Sequence, residues 1–509
     1  MHVFLKRNAP VFYMLLTMIG LYAPWMGRGY VNLEYPFSMA ARGLSDSRFA
    51  DQLDVYFGVQ ANPLGYSFVL AVIYKIFGYH DWFWLAKLPS LCGALIIIVS
   101  GWMLTRDRWH GRRSLFYFWS SLIIFHPMII AYGTSATADV LPVGLLMLSL
   151  AIAYKSTDHQ VFFKVLAALL FGFAIIVKYN SAYFGLAFLY IALVGNTQAK
   201  KNSKYIFRDL SIFIAVPFAI LVIYIWWSNA RYGVFISNRL EVHKPNFLDG
   251  LKWAFTFGKY LTFLGIFIGF IPILIIAKES RSYYEGLKYV AIVIVLLFFG
   301  WFVLYQQVMS EMNFGFAFGS QNHKVLETFG LVFGSVFCIH SFKQFGSRDR
   351  LLQLLIYGLA PYLVMISASR PTQRYLIFAV PAVLLLVTDS LKNFSVRSRN
   401  LSVGITALGF ASVSLLGVSF LRAQGNASEN MALWMKKNEV IEQSAPGAIF
   451  PHARQHFYGL SQSEIKYDVT ATSPEGEKFI KERILHREPM NVLGRITRVY
   501  VLYELPKKP

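Results

Sequence analysis

Charge is scarce in this chain. Only 15% of its 509 residues are Asp, Glu, Lys or Arg, against 56% hydrophobic; a soluble domain of ordinary composition is about 25% charged. Mean hydropathy is +0.47, which excludes a conventional soluble protein. Cysteine is nearly absent. Cys92 and Cys338 fall inside predicted spans toward opposite faces, which argues against a disulfide and leaves the redox compartment unread. Acidic residues are few, 27 against 48 Lys and Arg, for a formal net charge of +21. In a soluble protein that excess would point to nucleic acid. Here most of the cations flank apolar runs, so membrane topology accounts for them and no nucleic-acid partner is expected. There is no Walker loop and no dinucleotide fingerprint. His80, His452 and His456 lack tight metal-ligand spacing, and the lone His126 reads as a packing residue. No short repeat or low-complexity tract interrupts the chain.

What the chain does have is apolar runs of near-spanning length, which cross a bilayer as helices because every backbone group is then satisfied internally. Stretches such as 141–153 and 290–304 are apolar on all sides, unlike the alternating strands of a membrane barrel. Runs near 9–26, 83–105, 114–132, 138–154, 161–177, 181–195, 209–227, 258–277, 289–306, 325–342, 352–368, 375–391 and 401–421 predict an all-α polytopic membrane protein of about thirteen transmembrane helices. With the N-terminus inside, the inner loops hold Arg106 to Arg113, Lys200 to Arg208, Lys278 to Lys288, Lys343 to Arg350 and Lys392 to Arg399. Each is basic, as the positive-inside rule requires. Lys6 and Arg7 precede the first run, and no small-residue cleavage site follows it, so it reads as an uncleaved signal anchor.

The same parity puts residues 27–82 outside, with an interfacial helix expected near 63–77. It also divides the chain into a transmembrane part, 1–421, and a small outer α/β domain, 422–509. That domain has strand-like runs at 447–450 and 498–505 and a helical stretch near 429–443.

Ionisable residues at span ends on the outer side are the candidates for chemistry. Glu34 follows the first span, and Asp139 sits where the third span turns into the fourth. The bland alternatives are a solvated loop carboxylate for Glu34 and a helix N-cap for Asp139. Lys178, Arg231, His243, Arg370 and Arg374 are outer cations that the positive-inside rule disfavours. A phosphate site would account for them, and snorkelling to headgroups is the bland alternative.

The order of these features resembles the GT-C glycosyltransferases that use polyprenyl-phosphate-linked sugars. It is most similar to the branch of protein O-mannosyltransferases and lipid A aminoarabinose transferases. Glu34 through Ala41-Arg42 matches the acidic motif after the first span. Residues 58–66, with Asn62-Pro63-Leu64-Gly65, and Ile76-Phe77-Gly78 are similar to the Pro-containing stretch that follows. Asp139, Lys178, and Arg374-Tyr375-Leu376 with Pro381 match later positions. Two departures stand out: Leu33-Glu34 replaces an Asp-Glu pair, and Ala61-Asn62-Pro63 replaces Lys-Pro-Pro. They leave the sugar open.

The resemblance implies a GT-C membrane enzyme that moves a sugar from a polyprenyl-phosphate donor to an acceptor hydroxyl, with inversion. The acceptor would be a glycan, a lipid or a protein. The implied place is the periplasmic face of a bacterial inner membrane, with the N-terminus cytoplasmic and the C-terminal domain periplasmic. Glu34 and Asp139 are the expected base and its helper. Lys178, Arg374 and Arg231 are the expected phosphate ligands, and Tyr35, Asn62, Tyr179, His243, Arg370 and Tyr375 are further candidate contacts. No cofactor is required, and a divalent cation held by Glu34 and Asp139 stays open. A transporter of lipid-linked saccharides, or a polysaccharide polymerase or ligase, is the competing reading. A transporter would place charges at the bilayer midplane and carry inverted repeats.

Overall fold

The computed structural model describes residues 2–31, 34–50, 53, 56–57, 62–78, 83–194, 203–233, 250–279, 323–345, 349–368, 373–440, 467–472, 474, 477, 480 and 483–504. Helices dominate. They are α1 (His2–Met26), α2 (Glu34–Ser45), α3 (Gly65–Phe77), α4 (Phe83–Thr105), α5 (Arg113–Ile124), α6 (Pro127–Gly133), α7 (Val140–Lys155) and α8 (Val161–Val177). Then follow α9 (Gly185–Val194), α10 (Ser203–Tyr232), α11 (Gly250–Ile268), α12 (Ile271–Glu279), α13 (His323–Phe345), α14 (Arg350–Ser367), α15 (Val380–Ser390) and α16 (Val396–Lys437).

Every expected span except 289–306, which lies outside the described residues, coincides with helix. Length is the stricter test. Among the described residues five helices are long and apolar enough to cross a bilayer, or six if the bent pair α5–α6 is one span. The expected count of about thirteen is therefore not established, because helices such as α7 and α8 reach only about 25 Å at 1.5 Å per residue. The 60° bend between α5 and α6 has a local cause. His126 precedes Pro127, a position where helical backbone is disfavoured. His126 is extended (φ −64, ψ 125), and its ring accepts the Met128 amide at 3.3 Å, starting a new helix with proline in its first turn.

Close packing of α4 on α7 depends on small residues, as helix contacts within lipid do. A Cβ added to Gly93 would lie 2.5 Å from Leu141 Cα, and one added to Gly144 would lie 2.4 Å from the Gly93 carbonyl oxygen. Away from this contact, at the other ends of the helices, Arg108 joins Asp389 (Nε to Oδ1 2.7 Å) and Asp349, tying the α4–α5 loop to α14 and α15. These pairs use basic residues whose sequence position is otherwise explained by topology alone.

The C-terminal part differs in detail from expectation. The helical stretch expected near 429–443 is not a separate element: α16 runs unbroken from Val396 to Lys437, so the expected boundary at 421/422 falls inside a helix. Hydropathy ends near residue 421, but Arg, Ala, Gln, Glu and Lys extend a helix about as well as leucine does. The strand expected at 447–450 lies outside the described residues, whereas that at 498–505 is found. Strands β1 (Tyr467–Thr472), β2 (Ile484–Val492) and β3 (Arg495–Glu504) form an antiparallel sheet in the order β1-β3-β2. Its apolar face (Val469, Met490, Tyr500, Leu502) packs on Ala427, Met431 and Met435 of α16.

Candidate functional site

Two buried charge groups meet at the turn 134–139 between α6 and α7. The first is built on Glu34, the first residue of α2, which is 1% exposed. Arg28, two residues beyond α1, grips its carboxylate bidentately, with Nη1 to Oε2 at 2.7 Å and Nη2 to Oε1 at 3.0 Å. The backbone amides of Val31 and Ala136 donate to the same carboxylate at 2.7 and 2.9 Å. Arg28 also donates to Ser135 Oγ at 2.6 Å, so both members of the pair hold the 134–136 turn. Lys87, buried in α4, donates to the carbonyls of Met26 and Arg28, which caps the negative end of α1. Burial opposes the charged form of Glu34, but Arg28 and then Lys87, with the hydrogen bonds from Arg28 and Val31, bring its carboxyl below the usual value.

The second group lies three residues further along the turn. Asp139 precedes α7, yet its side chain makes no capping bond to that helix. It pairs instead with Lys178 Nζ, and both residues are 3% exposed. Lys178 ends α8, where its extended backbone (φ −157) turns the chain into a 3-10 helix at Tyr179–Phe184. Its ammonium lies 5.4 Å from the Tyr375 ring centre and 5.7 Å from that of Phe378, a cation–π arrangement. Arg374 is close enough to act electrostatically on Asp139 and Lys178. Its buried Nε has no hydrogen-bond partner among the described residues. Gly65 brings α3 into this corner: a Cβ there would lie 2.4 Å from the Ile176 carbonyl oxygen, just before Lys178.

Both bland readings thus fail to describe these acids, since Glu34 is not solvated and Asp139 does not cap its helix. In the second group one carboxylate faces two cations, leaving net positive charge suited to an anion, whereas in the first Glu429 of α16 also acts on Lys87 and balances the charge. Asp139, Lys178, Arg374 and Tyr375 come together, and the shared turn links them to Glu34. Arg231 is exposed in the last turn of α10, a favourable place for a cation, and no ion pair joins it to either acid among the described residues. Tyr35 is buried in α2. The Asn62 carbonyl accepts from Tyr56 at 3.1 Å, and Tyr179 is half-buried at the start of its 3-10 helix. His243 and Arg370 lie outside the described residues.

No group of three or more His, Cys, Asp or Glu that could hold a metal exists among the described residues. A divalent ion on Glu34 or Asp139 would have to displace Arg28 or Lys178. Arg28 and Lys87 are not among the residues that the sequence singles out. Both carried a signal: Arg28 is a cation on the outer side of the first span, and Lys87 is a charge inside the second.

Residues 61–227 match the family model of dolichyl-phosphate-mannose-protein mannosyltransferases. The structure is similar to ArnT from Cupriavidus metallidurans bound to undecaprenyl phosphate, with TM-score 0.54 and 15% identity over 97% of this chain and 98% of that one. The oligosaccharyltransferase AglB from Archaeoglobus fulgidus, in complex with an inhibitory peptide and a dolichol-phosphate, has TM-score 0.48 and 14% identity, covering 91% of this chain and 69% of that one. Among curated protein sequences none matches the chain. The fold is that of the GT-C class, and the family-model match over residues 61–227 points to a membrane glycosyltransferase. The family-model match does not favour the transporter reading.

Proposed function

We propose that this enzyme transfers a sugar from a polyprenyl-phosphate donor to an acceptor hydroxyl at the periplasmic face of a bacterial inner membrane. In this reading residues 1–421 form the catalytic domain, the N-terminus is cytoplasmic, and residues 422–509 are periplasmic. The observation that carries it is the Asp139–Lys178 pair beside Arg374, whose buried Nε lacks an acceptor among the described residues. A buried guanidinium donor without a partner is costly, and a phosphate oxygen would satisfy it.

The acceptor oxygen attacks the anomeric carbon from the side opposite the phosphate, the carbon–oxygen bond to phosphate breaks, and the configuration inverts. Polyprenyl phosphate departs with the bond electrons, and Lys178 and Arg374 stabilise its growing charge. The acceptor proton passes to a carboxylate within hydrogen-bond reach. Asp139 is the better placed acid. Glu34 already accepts four hydrogen bonds, whereas phosphate binding to Lys178 would draw that lysine away and free the Asp139 carboxylate. Glu34 then holds the turn that positions Asp139.

Transfer assayed in proteoliposomes with a polyprenyl-phosphate sugar tests these roles. Asp139→Asn should lower kcat about 10²- to 10⁴-fold, the usual contribution of a general base, while the protein still inserts and folds. Normal transfer by the folded Asp139→Asn protein would remove Asp139 from the chemistry.

A further inference from the structure

The turn joining β2 and β3 is exposed throughout. Leu493 and Ile496 are 63% and 53% exposed, and no acidic residue occurs from Pro489 to Tyr503, a stretch that holds Arg495 and Arg498. Val492 pairs with Arg495 across a two-residue loop in which Leu493 (φ 49) and Gly494 (φ 83) are both left-handed. Such a loop favours Asn-Gly or Asp-Gly, and leucine is a poor choice there. Its presence asks for a role outside the sheet.

Contacts with α16 give the position of the turn. Trp434 stacks on His486 at 4.3 Å, and Asn430 donates to Glu488 at 2.9 Å. Gln424 bonds Tyr500, and Arg498 lies 6.0 Å over the Phe420 ring. As α16 is followed from 434 back to 420, β2 advances from 486 toward 490, the partner of Arg498. The hairpin therefore points along α16 toward its apolar stretch, which is long enough to cross a bilayer. Gly494 lies four residues beyond Arg498, on the order of 13 Å at about 3.4 Å per strand residue. Phe420 stands at the end of the apolar run, so the tip passes the level at which α16 enters the membrane.

We infer that the β2–β3 turn is a membrane-inserting hairpin: Leu493 and Ile496 enter the interfacial region of the leaflet on the side of the sheet. Arg495 and Arg498 stay at the level of the lipid phosphates. The hairpin thus fixes the C-terminal sheet to the bilayer surface as well as to α16. This rests on α16 crossing the membrane and is independent of the transfer reaction.

Spin labels test it in the full chain reconstituted into lipid vesicles, with Cys92→Ser and Cys338→Ser as background. Labels at Leu493→Cys and Ile496→Cys should show a several-fold higher ratio of oxygen to nickel-chelate accessibility than a label at Lys437→Cys, exposed at the far end of α16. These positions are exposed, so the substitutions leave the sheet packing untouched. Ratios equal to that at 437 would overturn the proposal. Spin–spin broadening at 493 would also overturn it, since the turn would then meet a second copy of the chain instead of lipid.

Discussion

Replacing Glu34 by Gln removes a charge with almost no change of shape, so its cost comes from hydrogen-bond accounting. The carboxylate accepts on both oxygens: Val31 N–H and Arg28 Nη1 on Oε2, Ala136 N–H and Arg28 Nη2 on Oε1. An amide has one acceptor oxygen and a two-donor nitrogen. Whichever way Gln is turned, its NH₂ faces one backbone N–H and one arm of Arg28. The side chains of Arg28 and Glu34 are each 1% exposed, so water cannot substitute. Breaking a buried pair from one side costs about 3–5 kcal/mol. Glu34→Gln should lose that much stability, and Arg28→Met a similar amount. The double variant should cost less than the sum by about 1–3 kcal/mol, because the residues are coupled.

The assay is denaturant unfolding of the detergent-solubilised protein at neutral pH, repeated at falling pH. Folding lowers the Glu34 carboxyl below its usual value, so its stabilisation is complete above the unfolded pKa and is lost as pH falls through the folded one. The gap between wild type and Glu34→Gln should therefore close only in strongly acid solution. A cost under about 1 kcal/mol at neutral pH, the size expected of a surface pair, would refute the reasoning.

Arg374→Gln should raise the KM for a polyprenyl-phosphate sugar about 10- to 100-fold, the worth of a charged hydrogen bond. Unchanged steady-state kinetics would take Arg374 out of the phosphate site. Gly93→Leu should destabilise by about 1–3 kcal/mol or more through overpacking against α7, read as a lower unfolding midpoint. Gly404→Ala, where nothing lies within 4 Å of the added Cβ, should be neutral or gain up to about 1 kcal/mol; equal effects at the two sites would dismiss the close-packing argument.

The parts of the molecule that reading along the chain could reach are those set by local pattern. Apolar runs locate the helices, and His126-Pro127 carries the break between α5 and α6. Asp139, Lys178 and Arg374-Tyr375 stand out by their order along the chain, and the structure brings them to one corner. What pairing along the chain cannot supply is the partner across space. Nothing near Arg28 says that it will meet Glu34 and Ser135, residues separated by a hundred positions. The unbroken α16 was hidden for a different reason, because hydropathy reports where the membrane stops and says little about where a helix does. Gly425 inside that helix looks like an end signal. Its place is explained only by Gly29, whose carbonyl oxygen would sit 2.5 Å from an added Cβ.

The turn 134–139 has a consequence for how this protein can diverge. Its backbone is held by Glu34 and Arg28 at one end, and at the other it aims Asp139 at Lys178. Lengthening it by one residue would move the acid relative to both anchors at once, and no compensating change elsewhere could restore both. Surface loops can drift in length among relatives, but this one should keep a fixed number of residues between the α6 glycine and the acid. That interval offers a register mark for aligning distant relatives whose overall identity is too low to do so.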